Sequence, residues 1–504
     1  MSQSYANTSE PFVKTLVFLQ YAVFATAIIL TSIQFICNMG MTQDEAALGA
    51  EIIEKSFTEL HKPLGRHQSA PVAFLWCVKP LSILIPGEYG LRLFPLLCFW
   101  VSLFVFRKVV SLLTGNETTV VVALALFALN SQMIFHATMV KQYAADVCAA
   151  LVLTLTVLGA KDGNGFRKYI GIAAAGAVGF WFSNAMPITM IVCGLYLAFG
   201  WVSSGYARRG FVRLAFVAAI WGFSSLLYYM LFVHGSPTLD FMRLYWSETN
   251  PSFMPLTGIG AAMRFVGSKT FLLLRFANGW IITSAALAML SAVGIFDCIR
   301  RRRFTPLWFA YAGLAVAFAF SSLWLYPAYD RFLLFAFPFM VLPAAQGTSC
   351  VIGFVKWRKL RAVSVFAVPI LMFGLAVAWF PIRYGEIRKA AKFVSENILP
   401  GDEVHVYKPS HYDYYRLLGK DVFNWDNPTK KLGRQPEQNM KGRVWILAEN
   451  TSGRWKAQCY EYRKSDQEAE GDEFANLFTG GKKLSEYRAT GAFALLFDFG
   501  ESDE

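Results

Sequence analysis

The sequence predicts an α-helical protein that crosses a membrane many times and ends in a small soluble α/β-like domain. Three observations predict it. Of 504 residues, 55% are hydrophobic and 16% aromatic, but only 16% are charged. Apolar runs of about 20 residues, long enough to cross a hydrocarbon core of roughly 30 Å, recur as far as Pro381. Beyond that point the composition turns polar, and short alternating runs replace the long ones.

We read about eleven spans, near residues 12–37, 89–106, 117–135, 142–160, 168–183, 187–203, 212–233, 277–298, 305–325, 332–353 and 362–381. Basic residues mark every second connection: Arg107-Lys108, Lys161 with Arg167-Lys168, Arg208-Arg209 with Arg213, Arg300 to Arg303, and Lys356-Arg358-Lys359-Arg361. The positive-inside rule assigns these and the N-terminus to the cytoplasm. The outer face then receives the loops 38–88 and 234–276, the turns 130–141, 183–187 and 326–331, and everything after Pro381. The expected division is a membrane module, 1–381, and an extracytoplasmic domain, 382–504, large enough to fold.

The net charge of +13 sits in the short connections. It therefore reports membrane orientation, and nucleic acid is excluded as a partner. The eight cysteines are scattered, with no CxxC or ligand-spaced pair, so neither a disulfide framework nor a zinc site is expected. The first apolar run is too long for a cleaved leader and lacks a small-residue cleavage site. One sequon, Asn116-Glu117-Thr118, falls on the cytoplasmic side, and another, Asn450-Thr451-Ser452, falls outside.

The outer loops carry structure of their own. Residues 44–60 place Ile52, Ile53, Phe57 and Leu60 at helical spacing, and Val72–Ile85 reads as a helix lying along the interface. Leu239 to Trp246 reads as a second interfacial helix, ended by Asn250-Pro251. In the tail, residues 383–396 form an amphipathic helix, 399–403 a turn, and Val404–Tyr407 and Val444–Leu447 buried strands, with period-two apolar residues from Phe493 to Phe499.

Residues able to do chemistry gather on that outer face. Thr42-Gln43-Asp44-Glu45 follows the first span. Thr42 and Glu45 have capping-box spacing, so Glu45 has a structural reading beside a catalytic one, and Asp44 suits a helix N-terminus. Lys141-Gln142-Tyr143 with Asp146 stands at the mouth of the fourth span, where an intramembrane acid must face the bundle interior. Lys141 could equally snorkel to the interface. Tyr326-Pro327-Ala328-Tyr329-Asp330-Arg331 puts an arginine outside, against the charge bias. Arg331 either pairs with Asp330 or clamps an anionic oxygen with its fork. His61, Lys62, Arg66, His67 and Gln68 form a basic and amide cluster in the first loop, without a metal-ligand triad. Cations at a membrane surface, a carboxylate base and long apolar spans suit one task, the transfer of a sugar from a phosphate-linked lipid.

At this point the sequence resembles the GT-C superfamily of membrane glycosyltransferases, and within it the bacterial protein mannosyltransferase and aminoarabinose transferase group (glycosyltransferase family 39-like). The matching pieces are Asp44-Glu45, His67-Gln68-Ser69-Ala70-Pro71 with Phe74-Leu75-Trp76, and Glu88 to Pro95. They continue through Lys141-Gln142-Tyr143 with Asp146, Tyr245-Trp246, Tyr326-Pro327 with Arg331, and Pro400-Gly401-Asp402 with Val404 and Tyr407. Phe332 departs from the Tyr often found after that arginine.

The resemblance implies a transferase in the bacterial inner membrane, active on its periplasmic side. Its donor would be a polyprenyl-phosphate-linked sugar and its acceptor a lipid, glycan or protein hydroxyl. It implies Asp44 as the general base that activates the acceptor, with Glu45 counted beside it as catalytic or as a helix cap, and Lys141 and Arg331 as binders of the donor phosphate. His67, Gln68, Tyr143, Asp146, Tyr326 and Tyr329 are then expected to line the substrate site. Some relatives use a divalent cation; no metal site is assigned here. The rival expectation is a transporter or flippase of lipid-linked sugars, but we find no internal repeat, and the polar residues crowd one outer face rather than the midplane.

Overall fold

The computed structural model describes residues 10–160, 165–203, 205, 208–234, 237–249, 251–278, 281–378, 380–382, 386–407, 410–417, 421–423, 425–432, 440–449, 481–489 and 492–500. The sequon at Asn450 lies outside them.

The helices before the tail are α1 (Glu10–Ile36), α2 (Gln43–Glu54), α3 (Val72–Leu84), α4 (Glu88–Thr114), α5 (Glu117–Ala128), α6 (Ser131–Ala137), α7 (Tyr143–Gly159), α8 (Phe166–Phe182) and α9 (Met186–Ser203). They continue with α10 (Arg208–Tyr228), α11 (Pro237–Leu244), α12 (Ile259–Asn278), α13 (Ile281–Arg300), α14 (Phe304–Ser322), α15 (Phe337–Gly353) and α16 (Arg358–Val377). Each expected span has a helix. By length and apolarity, seven helices can cross a membrane, or eight if the α5–α6 pair, bent by 58°, is one span. The expected count of eleven is not established, because α7 and α8 have 17 residues each and the apolar part of α16 covers only Val363–Val377. The bend between α5 and α6 has a local cause. The Asn130 side chain accepts from the amides of Gln132 and Met133 and starts a new helix there.

The stretch 234–276, expected to be a loop with one interfacial helix, contains a second helix of 20 residues, α12. Its apolar residues are interspersed with Arg264, Lys269 and Arg275, so no continuous apolar run announces it.

The span ending in α15 lies at the centre of the bundle. Glycines set its closest approach. An added Cβ on Gly294 would stand 1.9 Å from the Pro343 carbonyl oxygen, and one on Gly347 would stand 1.8 Å from that of Leu290. No other residue lets α13 and α15 touch backbone to backbone in this way.

After the last span come α17 (Ile387–Asn397), β1 (Glu403–Tyr407), α18 (Ser410–Leu417), β2 (Thr429–Leu432), β3 (Arg443–Glu449), β4 (Lys482–Ala489) and β5 (Ala492–Asp498). The sheet order is β2-β1-β3-β5-β4. β1 runs parallel to β2 and β3, while β5 is antiparallel to β3 and β4. The turn before β1 is tied down by Asp402, which accepts from Arg443, the Trp445 indole and the Leu399 amide. This domain shares a core with the loop 38–88, in which Met41, Leu48, Ile52 and Phe74 pack with Val394, Val404, Tyr414 and Trp445. The loop and the tail thus fold together on one side of the bundle.

Candidate active site

The site is built on the first turn of α2. Thr42 accepts from the Glu45 amide at 3.3 Å, and Glu45 Oε2 accepts from the Thr42 amide at 2.9 Å, closing the capping box. The other oxygen, Glu45 Oε1, accepts from the Val140 amide at 3.0 Å and lies 3.4 Å from the Arg92 guanidinium. Glu45 is buried and both of its oxygens are used in holding the structure. Its geometry is that of a brace. At the opposite end of α2, buried Lys79 donates to the carbonyls of Ile52 and Ile53 at 2.7 and 3.0 Å.

Asp44 points the other way. Its side chain keeps 36% of its exposure, and Oδ2 lies 2.9 Å from a terminal nitrogen of Arg331, which is only 10% exposed. Arg331 comes from the 3-10 turn Asp330–Ala336 leading into α15. The rings of Tyr143, Trp246, Tyr329 and Phe332 surround its guanidinium at 5.7–6.0 Å. The aromatic rings line the cation, and one of its terminal nitrogens reaches Asp44.

Lys141, buried in the connection before α7, donates to Gln68 Oε1 at 2.6 Å. Burial pushes its ammonium down to about 8, with Asp44 opposing that shift and Arg331 adding to it. The carboxylate of Asp44 and the two cations therefore act on one another in a single cluster. His67 stays exposed and stacks on Phe241 of α11, ring centroids 3.9 Å apart. Arg66 and His67 adopt φ of 50° and 54°, a left-handed pair that turns Gln68 inward.

The remaining expected residues divide into neighbours and braces. Tyr143 and Tyr329 line the arginine box, and burial raises the Tyr329 phenol. Tyr326 donates to the Phe332 carbonyl at 2.7 Å and so shapes the turn that carries Arg331. Asp146 accepts from Ser183 and from the amides of Asn184 and Ala185, which fastens α7 to the start of α9. Lys269 of α12 lies 5.6 Å over the Tyr329 ring, with burial lowering its ammonium and Asp330 opposing that shift. The sequence offered no signal for Lys269, because its neighbour in space is far along the chain. Trp246 was legible only through the family resemblance. Among the described residues no three His, Cys, Asp or Glu side chains converge in a metal-holding group.

No protein-family model matches the chain, and no curated protein matches it by sequence. Solved structures do match. ArnT from Cupriavidus metallidurans, in a crystal structure bound to undecaprenyl phosphate, aligns over 97% of this chain and 98% of its own, at 12% identity and a TM-score of 0.50. The two share a fold. The oligosaccharyltransferase of Archaeoglobus fulgidus, in complex with zinc and sulfate, shares it over 95% of this chain and 73% of its own, at 13% identity and a TM-score of 0.50. The shared fold thus extends over nearly the whole chain, whose long apolar helices make it a multispanning membrane protein.

Proposed function

We propose that the protein is an inverting glycosyltransferase, moving a sugar from a polyprenyl-phosphate carrier to a hydroxyl of an envelope lipid, glycan or protein. The observation that carries the reading is the pairing of half-buried Asp44 with boxed Arg331, 2.9 Å apart, beside Lys141. The ArnT structure with bound undecaprenyl phosphate supports a lipid-phosphate donor on this fold. The positive-inside pattern supports a site on the outer face of a bacterial inner membrane, with the N-terminus in the cytoplasm and the tail in the periplasm.

In this reading the acceptor hydroxyl gives its proton to Asp44 as its oxygen bonds to the anomeric carbon. The bond from that carbon to the phosphate oxygen breaks, and the electron pair leaves with the phosphate. Arg331 and Lys141 receive the charge that grows there. Glu45 holds the loop of Lys141 in register with Asp44, and Gln68 orients the Lys141 ammonium.

The test uses purified protein in detergent with lipid-linked sugar and an acceptor extract. Release of free polyprenyl phosphate is expected, and Asp44→Asn should lower it by about 10² to 10⁴. Detergent provides no second compartment, so a transporter releases none. Absence of release by the parent protein across a broad donor panel overturns the transferase reading, and near-normal release by a folded Asp44→Asn overturns the role of the base.

A further inference from the structure

The residues that lead into Asp44 are held largely from outside the bundle. Between α1 and α2, after the Asn38 amide closes the last turn on the Phe35 carbonyl, the chain runs Met39-Gly40-Met41 outside any helix. Four successive residues each have a side-chain partner on their backbone. The Asn38 carbonyl accepts from Arg388, and the Met39 carbonyl from Arg92 at 2.8 Å. The Gly40 amide donates to Glu386 at 3.3 Å, and the Met41 carbonyl accepts from His411 at 2.8 Å. Three of these four partners, Glu386, Arg388 and His411, come from the segment after the last span. A carbonyl can only accept, so the proton of buried His411 stands on Nε2.

The same segment presses on α2 itself. Tyr414 of α18 lies against Gly49, where an added Cβ would come within 2.9 Å of its ring. A glycine in mid-helix costs about 1 kcal/mol relative to alanine, and here it admits the ring. Tyr415 donates to Glu88 at 2.9 Å, and Glu88 in turn accepts from Asn38.

We propose that the C-terminal domain is the positioning element of the site, with His411, Glu386 and Arg388 fixing the 38–41 backbone and through it the line along which Asp44 meets the acceptor. The proposal rests on the reading of Asp44 as the base. Displacement of about 1 Å at a reacting group can lower a rate by about 10², so the hold acts on turnover and not on donor affinity.

His411→Phe keeps the ring volume and removes the donor; His411→Gln can restore it. Hydrogen exchange at residues 40–46 measures the hold directly, whatever the chemistry. His411→Phe is expected to retain the parent's thermal midpoint within a few degrees and to exchange about 10-fold faster over 40–46. It should also lose turnover by about 10- to 100-fold with unchanged donor KM, and His411→Gln should recover most of that loss. In an Asp44→Asn background, His411→Phe should cause no additional loss, since it acts through Asp44. If His411→Phe fails to fold, Gly49→Ala, which displaces Tyr414 from α2, should give the same exchange and turnover changes. Unchanged exchange over 40–46 in a folded variant overturns the positioning proposal. Full transfer by Asp44→Asn together with faster exchange in His411→Phe overturns the base and leaves the hold standing.

Discussion

Glu45 Oε1 receives the backbone amide of Val140 at 3.0 Å, so the neighbour of Asp44 holds the neighbour of Lys141. One carboxylate thereby sets the spacing between the acid and the cation of the site. Its partners are 47 and 95 residues away, at Arg92 and Val140. On the proposed reading Glu45 braces the site while Asp44 does the chemistry.

Glu45→Gln should therefore be mild, since an amide oxygen can still receive the Val140 amide or close the capping box. Glu45→Ala opens half of the capping box and leaves the buried Val140 amide without its acceptor, a loss of about 1–3 kcal/mol, while Arg92 keeps its bonds to Asn38 and Met39. A chemical-denaturation series in detergent checks the order: parent, then Gln, then Ala. Equal stability of the parent and Ala forms would contradict the brace.

Arg331→Lys should fold and still fail. A lysine keeps the charge but offers no fork and no flat face for Trp246 and Tyr329. Turnover is expected to fall by about 10² to 10³, measured as release of polyprenyl phosphate. A variant that retains parent turnover would show that the fork is dispensable.

Lys141 gives a pH signature with two opposite signs. Burial lowers its ammonium from 10.5 to about 8. Between those values the unfolded chain binds the proton more tightly, so the unliganded fold gains stability as pH rises. Donor binding runs the other way, because the cation that meets the phosphate is lost above about pH 8. Donor KM should rise with pH through that window while the thermal midpoint does not fall. Lys141→Arg should flatten the KM profile, since guanidinium keeps its proton. A parent profile that is flat from pH 7 to about 9.5 would remove Lys141 from the phosphate site.

Tyr326→Phe isolates a shaping bond from chemistry. It deletes the 2.7 Å hydrogen bond to the Phe332 carbonyl, worth about 1 kcal/mol. A small drop in thermal midpoint with turnover within a few-fold of the parent is expected. A loss as large as that of Asp44→Asn would place the Tyr326 hydroxyl in the reaction itself.

The parts of the site that were legible in the sequence are those encoded locally. The Thr42–Glu45 box spans one helical turn, and it forms as its spacing predicts. Arg331 could be singled out because an arginine among aromatics on the outer face runs against the charge bias. The tail strands containing Val404–Tyr407 and Val444–Leu447 were visible as short buried runs, and both are strands. What could not be read is long-range. Nothing near Glu45 announces Val140, nothing near Arg331 announces Trp246, and nothing near Met41 announces His411. Helix α12 escaped notice for a different reason, because charges break its apolar pattern and a hydropathy reading takes it for loop. The Asp146 carboxylate shows the converse. An acid in an apolar helix signals a partner, but the partner is the 183–185 turn, and the sequence alone does not separate a fastening from a site.

The contact between Asp44 and Arg331 carries a consequence for the order of events. On the proposed reading, the guanidinium that receives the donor phosphate is the one paired with the base. The phosphate must compete for that fork, and its arrival loosens the carboxylate. An acceptor or a stray water that enters first meets a base still held by its counter-ion. The ion pair thus works as an interlock: lipid-linked donor binds first, the acceptor second, and idle hydrolysis of the carrier-bound sugar is restrained.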